Sequence, residues 1–377
     1  MKVRVHQSID DINAGEWNRL VGDDPFLRHE FLAALEHSGS ASAASGWQPQ
    51  HLTCSDDTGR IVGALPLYLK SHSYGEYVFD WAWADAWRRA GLQYYPKLTS
   101  AVPFSPVPGS RLLIDASCEP AATAHALVES SIELAERLQL STVHCLFPRE
   151  SELDAWAGSE FLLRKDCQYH WHNRGHPDFE SWLSTFTAEK RKKVRRERRR
   201  ISEANIDFTF LSGLELDAPL LDTIYGFYAD TYHKRGRTPY LTRMFFTEIA
   251  RTLPDSLLII LATRHRDPVA TAICFRNQET LFGRHWGCGP EFHSLHFETC
   301  YYRGIDYCLA NGLRTFNPGT QGEHKLARGF EPTATWSTHW IADHRFREAV
   351  RDFLQRETAM TDAYIAEARE HLPFKSP

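Results

Sequence analysis

The run NPGTQGEHKLARGFEP, residues 317–332, places Glu323, His324, Lys325 and Arg328 close together in one short segment. Glycines at 319, 322 and 329 interleave these groups, so the backbone there can turn tightly or come close to a ligand. A carboxylate or neutral imidazole on such a turn can take a proton from an attacking group. A lysine or arginine beside it can hold a carboxylate or a phosphate.

A second concentration of chemistry is KRKKVRRERRR, residues 190–200, in which nine of eleven residues are basic. Phe186, Val194, Ile201 and Ala204 leave a thin apolar stripe at helical spacing, so the segment reads as a helix over 188–204 docked by one edge. Like charges at i,i+4 repel, and so dense a field attracts phosphates, with Arg191, Arg195 and Arg198 as candidate ligands. Histidines form a third group: His170, His172 and His176, then His293 and His296. Alternate strand positions would let His170 and His172 share a zinc ion, but no cysteine or carboxylate follows at ligand spacing. No metal is expected.

These groups need a scaffold. The chain has 377 residues, enough for two domains. Its 42% hydrophobic and 24% charged content is that of a globular protein, and the net charge of −5 confines any polyanion contact to a local patch. The eight cysteines include no Cys-x-x-Cys pair, and several lie in apolar runs such as 143–147 and 272–275. Reduced thiols in a cytoplasmic protein are expected. The opening MKVRVH lacks the apolar core of a signal peptide, and no uncharged apolar run reaches the ~18 residues that span a bilayer.

Alternation and turn residues predict strands at 2–6, 50–55, 61–70, 77–83 and 142–147. Helices are expected at 10–20, 26–37 and 121–138, and a long aromatic loop at 94–110, where Pro103, Pro106 and Pro108 exclude a helix. The second half repeats the order: strands at 256–263, 269–276 and 280–286, a helix at 298–311 ended by Gly312, and a strand at 314–317. Residues 59–69 (GRIVGALPLYL) align with 266–276 (RDPVATAICFR), and 127–147 with 298–318. The expectation is two copies of one α/β unit, joined near 173–178.

This two-copy layout, the basic helix followed by ANIDFTF, and the segment TQGEHKLARGF together resemble the FemAB-like N-acyltransferases. The resemblance covers nearly the whole chain. It implies a mixed α/β (α+β) fold of two tandem GNAT-like acyl-CoA N-acyltransferase domains, 1–175 and 176–377, packed around a central cleft. It implies acyl transfer to an amine acceptor. Fem-type relatives take the acyl group from aminoacyl-tRNA and build peptidoglycan cross-bridges, which would make this a bacterial, cytoplasmic enzyme. Simpler GNAT enzymes use acyl-CoA, and no tightly bound cofactor is implied in either case. One departure bears on the donor. Where CoA-binding relatives carry a glycine turn before the pyrophosphate helix, this chain has PEFHSLHFET, residues 290–299, without a glycine.

Carried onto this chain, the resemblance makes Glu298, His296, Glu323 and His324 candidates for the base. Tyr301 or Tyr302 would protonate the leaving group, and Trp286–Cys288 would be the strand supplying oxyanion donors. Gln321, Lys325 and Arg328 would hold substrate. Two other readings stay open: an acetyl-CoA-dependent GNAT N-acetyltransferase, and a non-catalytic GNAT pair that binds RNA or another phosphate-bearing ligand.

Overall fold

Apolar runs punctuated by turn residues fold as hairpins, and longer amphipathic runs as helices laid over them. The computed structural model describes residues 1–290, 292–320 and 322–375. The chain divides into two compact units: Met1–Asp166 with Ala334–Ala363 (unit 1), and Cys167–Thr333 with Tyr364–Pro377 (unit 2). In chain order the first part holds β1 (Lys2–His6), α1 (Ala14–Val21), α2 (His29–His37), β2 (Trp47–Pro49), β3 (His51–Ser55), β4 (Ile61–Leu65) and β5 (Tyr68–Lys70). There follow α3 (Trp81–Arg89), β6 (Lys97–Ser100), β7 (Leu113–Ile114), α4 (Pro120–Arg137), β8 (Thr142–Leu146) and α5 (Leu153–Ala157). Next come β9 (Leu162–His172), α6 (Phe179–Ser184), α7 (Ala188–Glu203), β10 (Ile206–Ser212), α8 (Ala218–His233) and α9 (Arg243–Thr252). The rest is β11 (Leu257–Arg264), β12 (Asp267–Arg276), β13 (Thr280–Cys288), α10 (Leu295–Phe297), α11 (Arg303–Ala310), β14 (Thr315–Asn317), β15 (Glu331–Ile341) and α12 (His344–Glu370).

In unit 1, β1, β3, β4 and β7 form one antiparallel sheet, and β15, β8, β6, β5 and β2 lie side by side in another. Pro49 and Pro66 interrupt what would otherwise be one long hairpin, because neither has an N–H to give the ladder. The bond from Gln50 N–H to Leu67 O, 2.8 Å, carries the pairing across the break. α4 covers the apolar face, with Leu127, Val128 and Leu134 in one core with Leu52, Val62, Leu98 and Val143. In unit 2 the order is β10, β11, β12, β13, β14 and β9. Its core joins Trp171, Trp182, Phe186, Val194, Ile260, Tyr302, Ile305 and Phe316.

Among the described residues, each unit is an α/β unit in which one parallel strand pair is bridged by a helix. β6 pairs with β8 through α4 in unit 1, and β13 with β14 through α11 in unit 2. Each parallel pair is extended by an antiparallel strand, β15 beside β8 and β9 beside β14.

Several segments differ from the sequence expectation. Residues 77–83 are not a strand: α3 begins at Trp81, and Trp83 and Trp87 bury one helical face at i,i+4. The expected loop at 94–110 contains β6. The expected boundary at 175/176 differs from the compact units, in which 167–175 belong to unit 2 and 334–363 return to unit 1. The cause is that β15 pairs with β8, so part of the C-terminal chain completes the first unit's sheet.

Candidate active site

The glycine-rich run leaves the end of β14 and folds as a turn followed by a tight helical segment, Glu323–Arg328. Gly319, Gly322 and Gly329 have φ of 100°, 113° and 77°. A side chain at Gly322 would meet the His324 ring at 2.3 Å, and one at Gly329 would meet Trp182 and Phe186 at 2.8 Å. Glycine is therefore required for both conformation and space. The turn drives Lys325 inward, where it is 2% exposed and donates from Nζ to Gly319 O at 2.5 Å. Burial, reinforced by the charge of Arg284, lowers its ammonium to about 7. Gln321 lies outside the described residues.

Opposite this turn the helix after β13 opens irregularly. α10 widens into a π-turn at Glu298–Tyr302 before α11 resumes the normal pitch. Such turns are frequent at functional sites. The π-turn carries Tyr301, whose hydroxyl lies 2.8 Å from His324 Nε2. His296 packs edge-on against Tyr301 and Trp286, at 5.3 Å between ring centroids in each case. Burial, with His324, Arg328 and Lys325 nearby, holds His296 down at about 4. His324 is also lowered, by burial and then by Arg328 and Lys325, so both imidazoles are neutral at neutral pH. Burial raises the Tyr301 phenol, which keeps its proton. Glu323 is exposed and accepts from Tyr364 OH at 3.0 Å, and Tyr364 in turn bonds Tyr169.

The remaining expected residues form a supporting layer. Arg328 is 3% exposed. It pairs with Glu197 at 2.8 Å, donates to His324 O at 2.7 Å and lies over the Phe297 ring. Tyr302 OH donates to the other oxygen of Glu197. Glu298 is buried between Arg198 (3.2 Å) and Arg303 (2.9 Å). Burial raises its carboxyl despite both arginines. No hydrogen bond among the described residues joins Glu298 to His296, Tyr301 or His324.

The basic helix α7 therefore has two faces. Val194, Glu197 and Ile201 are buried, and Arg198 turns inward over Phe179 to reach Glu298 and Asp306. Arg191 caps α6 by donating to Phe186 O at 2.9 Å, and Arg195 meets Glu180. Lys192, Lys193, Arg196 and Arg200 are exposed, without an ion pair among the described residues. These four, rather than Arg191 and Arg198, present cations to solvent.

β13 pairs with β14 only over Thr280–Phe282. Beyond that point Thr231 and Lys234, at the end of α8, reach the carbonyls of Trp286 (2.8 Å) and Cys288 (3.4 Å). Gly287 permits this approach, since a side chain there would lie 2.0 Å from Phe227 O. The turn expected to lack a CoA cradle contains Ser294 at φ 73°, followed by the buried Leu295.

Sequence reasoning missed Glu197, masked inside the basic run, and the Tyr169–Tyr364 pair, whose members are far apart in sequence. It also missed Arg284, which donates to Asn317 O at 3.3 Å. No signal marked Glu76, Asp80 and Lys97 of unit 1, where the buried Lys97 ammonium bonds both carboxylates. Glu76, Asp80 and His144 are the one group of potential metal ligands found among the described residues, and the Lys97 ammonium already sits against both carboxylates. The His170–His172–His176 set forms no such group. All eight cysteines carry thiols, and no helix among the described residues is long and apolar enough to cross a membrane.

The sequence profile of the FemAB-like family, described as peptidoglycan biosynthesis/recognition, matches residues 8–376. No curated protein sequence matches the chain. Among solved structures, that of FemX is 11% identical, with a TM-score of 0.56 over 93% of this chain and 100% of that one. The C-terminal domain of a putative lysylphosphatidylglycerol synthetase from Agrobacterium fabrum is 8% identical, with a TM-score of 0.55 over 95% of this chain and 96% of that one. The structure titled L-PGS from Bacillus licheniformis is 10% identical, with a TM-score of 0.53 over 89% of this chain and 98% of that one. At these identities the likeness is one of fold.

Proposed function

Because the chain belongs to the FemAB-like family, we propose that it is an acyltransferase that moves an aminoacyl group from an activated ester to an amine, at Tyr301, His324 and Lys325 of unit 2. The observation that carries this reading is the 2.8 Å contact between Tyr301 and a neutral His324, held on the glycine turn at the end of the β13–β14 parallel pair. The amine nitrogen attacks the acyl carbon, and the ester C–O bond breaks. His324 takes the amine proton at Nδ1. Tyr301 gives its phenolic proton to the departing oxygen and is reprotonated from Nε2, which leaves His324 neutral but as the Nδ1–H tautomer; proton exchange with water restores the starting tautomer before the next turnover. The exposed Glu323 carboxylate attracts a cationic amine, and the Lys325 charge favours the developing oxyanion.

Aminoacyl-tRNA is the proposed donor, which would place the reaction in the cytoplasm. Two observations support it over acyl-CoA: the exposed cations Lys192, Lys193, Arg196 and Arg200, and the bulky, glycine-free start of α10. A thermal-shift comparison at low salt tests the donor, since a ligand of the folded state raises its melting temperature. The expected result is a rise with charged tRNA and none with acetyl-CoA or CoA. A rise with CoA alone would instead favour a GNAT N-acetyltransferase.

A further inference from the structure

Unit 1 carries an exposed aromatic surface that the proposed reaction does not use. Tyr74, Phe79 and Trp81 are 54%, 57% and 42% exposed, and the rings of Tyr74 and Trp81 lie 5.1 Å apart. His72 extends the surface, 5.1 Å from Tyr74. These residues sit on the loop between β5 and α3 and on the first residue of α3.

The loop is pinned from below. Lys97 Nζ donates to Ser73 Oγ (2.9 Å), Glu76 (2.8 Å) and Asp80, and Lys70 Nζ donates to Tyr74 O (3.3 Å). Lys97, Glu76 and Asp80 are buried, and Gly75 lets the loop lie on Phe104, where a side chain would come within 2.5 Å of the ring. A buried ion cluster is a costly way to order a loop whose aromatic side chains face water. The rigid presentation of those rings is what it achieves.

α3 continues the surface. Trp81, Asp85 and Arg88 fall at i, i+4 and i+7 and share one helix face, with Arg89 beside them. Arg88 and Arg89 are 80% and 71% exposed at the side chain, and both pair with Asp85, so two cations meet one anion. The stripe is aromatic at one end and net positive at the other. Tryptophan and tyrosine favour the headgroup region of a bilayer, where one edge of the ring is apolar and the other hydrated. Adjacent arginines add attraction to anionic lipid.

We propose that Tyr74, Phe79 and Trp81, with Arg88 and Arg89, dock unit 1 on the surface of an anionic lipid bilayer. The test is co-sedimentation of the full chain with vesicles of phosphatidylcholine alone, or of phosphatidylcholine with phosphatidylglycerol. The wild type is expected to pellet with the phosphatidylglycerol vesicles. Combined Tyr74→Ser, Phe79→Ser and Trp81→Ser substitution should lower the partition about tenfold or more. Arg88→Ser with Arg89→Ser should remove the preference for phosphatidylglycerol. If the triple variant fails to fold, the three single substitutions are read one at a time, each with a smaller loss. Wild type remaining in the supernatant with both vesicles, or a folded serine variant that pellets like the wild type, would overturn the proposal. So would a serine variant that elutes as a smaller species than the wild type, which would make a second copy of the chain the occupant.

Discussion

Lys325 illustrates how a residue's environment sets its chemistry. It is buried, its ammonium faces a carbonyl rather than a carboxylate, and it titrates at about 7 instead of 10.5. Between those two values the unfolded chain holds the extra proton, so this group makes stability rise with pH across that window; below about 7 the penalty is complete. Lys325→Met should therefore raise the melting temperature at pH 6, by roughly 1–3 kcal/mol of stability, while abolishing transfer. Calorimetry beside a turnover assay checks both halves. The pH profile of transfer should be a bell. Its acid limb reports His324, whose value lies below 6.5, and its alkaline limb near 7 reports loss of the Lys325 charge. Transfer that does not fall between pH 7 and 9 would remove Lys325 from the mechanism, and transfer that does not fall as the pH is lowered below 6.5 would remove His324. In the sequence, the density of Glu323, His324 and Lys325 around glycines was legible because few loops need that composition. Arg328 read as a phosphate ligand for the same reason, but its partner is Glu197, and a buried pairing across so long a sequence separation leaves no local trace.

At the scale of elements, α7 joins the site to the surface. Glu197 bonds Arg328 and Tyr302 from within a run of cations. Glu197→Ala would leave the Arg328 charge buried without its partner and should cost about 3–5 kcal/mol, measured by urea unfolding. Substituting Lys192, Lys193, Arg196 and Arg200 by serine touches no buried group, so stability should change by no more than about 0.5 kcal/mol per substitution. If these side chains meet phosphates, RNA affinity should fall, and its salt dependence should flatten by about 0.7–0.9 per lost contact. Unchanged affinity would assign the face to solvent alone. The basic helix and the hairpins were readable because period and turn residues coincide there. α3 was not: Trp81, Trp83 and Trp87 suit a strand by propensity, and only the packing of Trp83 and Trp87 on one face decides for helix.

At the scale of the whole chain, the duplication was visible as a repeated hairpin and a repeated helix-then-strand, which both units contain, but the first copy's intervening strand was expected at 77–83 and is instead β6, in the stretch read as a loop. The exact composition of the units was not visible, since β15 lies far along the chain from the β8 strand it pairs with, and strand pairing at that separation has no sequence period. Fold and family together say what class of reaction to test, and the site says where. The most direct test is single-turnover transfer of a labelled amino acid from aminoacyl-tRNA to an amine acceptor, by wild type and His324→Ala, with RNA binding measured in parallel. The account predicts transfer by the wild type and a loss of about 100-fold or more in the variant at unchanged RNA affinity. Equal transfer by His324→Ala, or transfer from acyl-CoA and none from aminoacyl-tRNA, would contradict it.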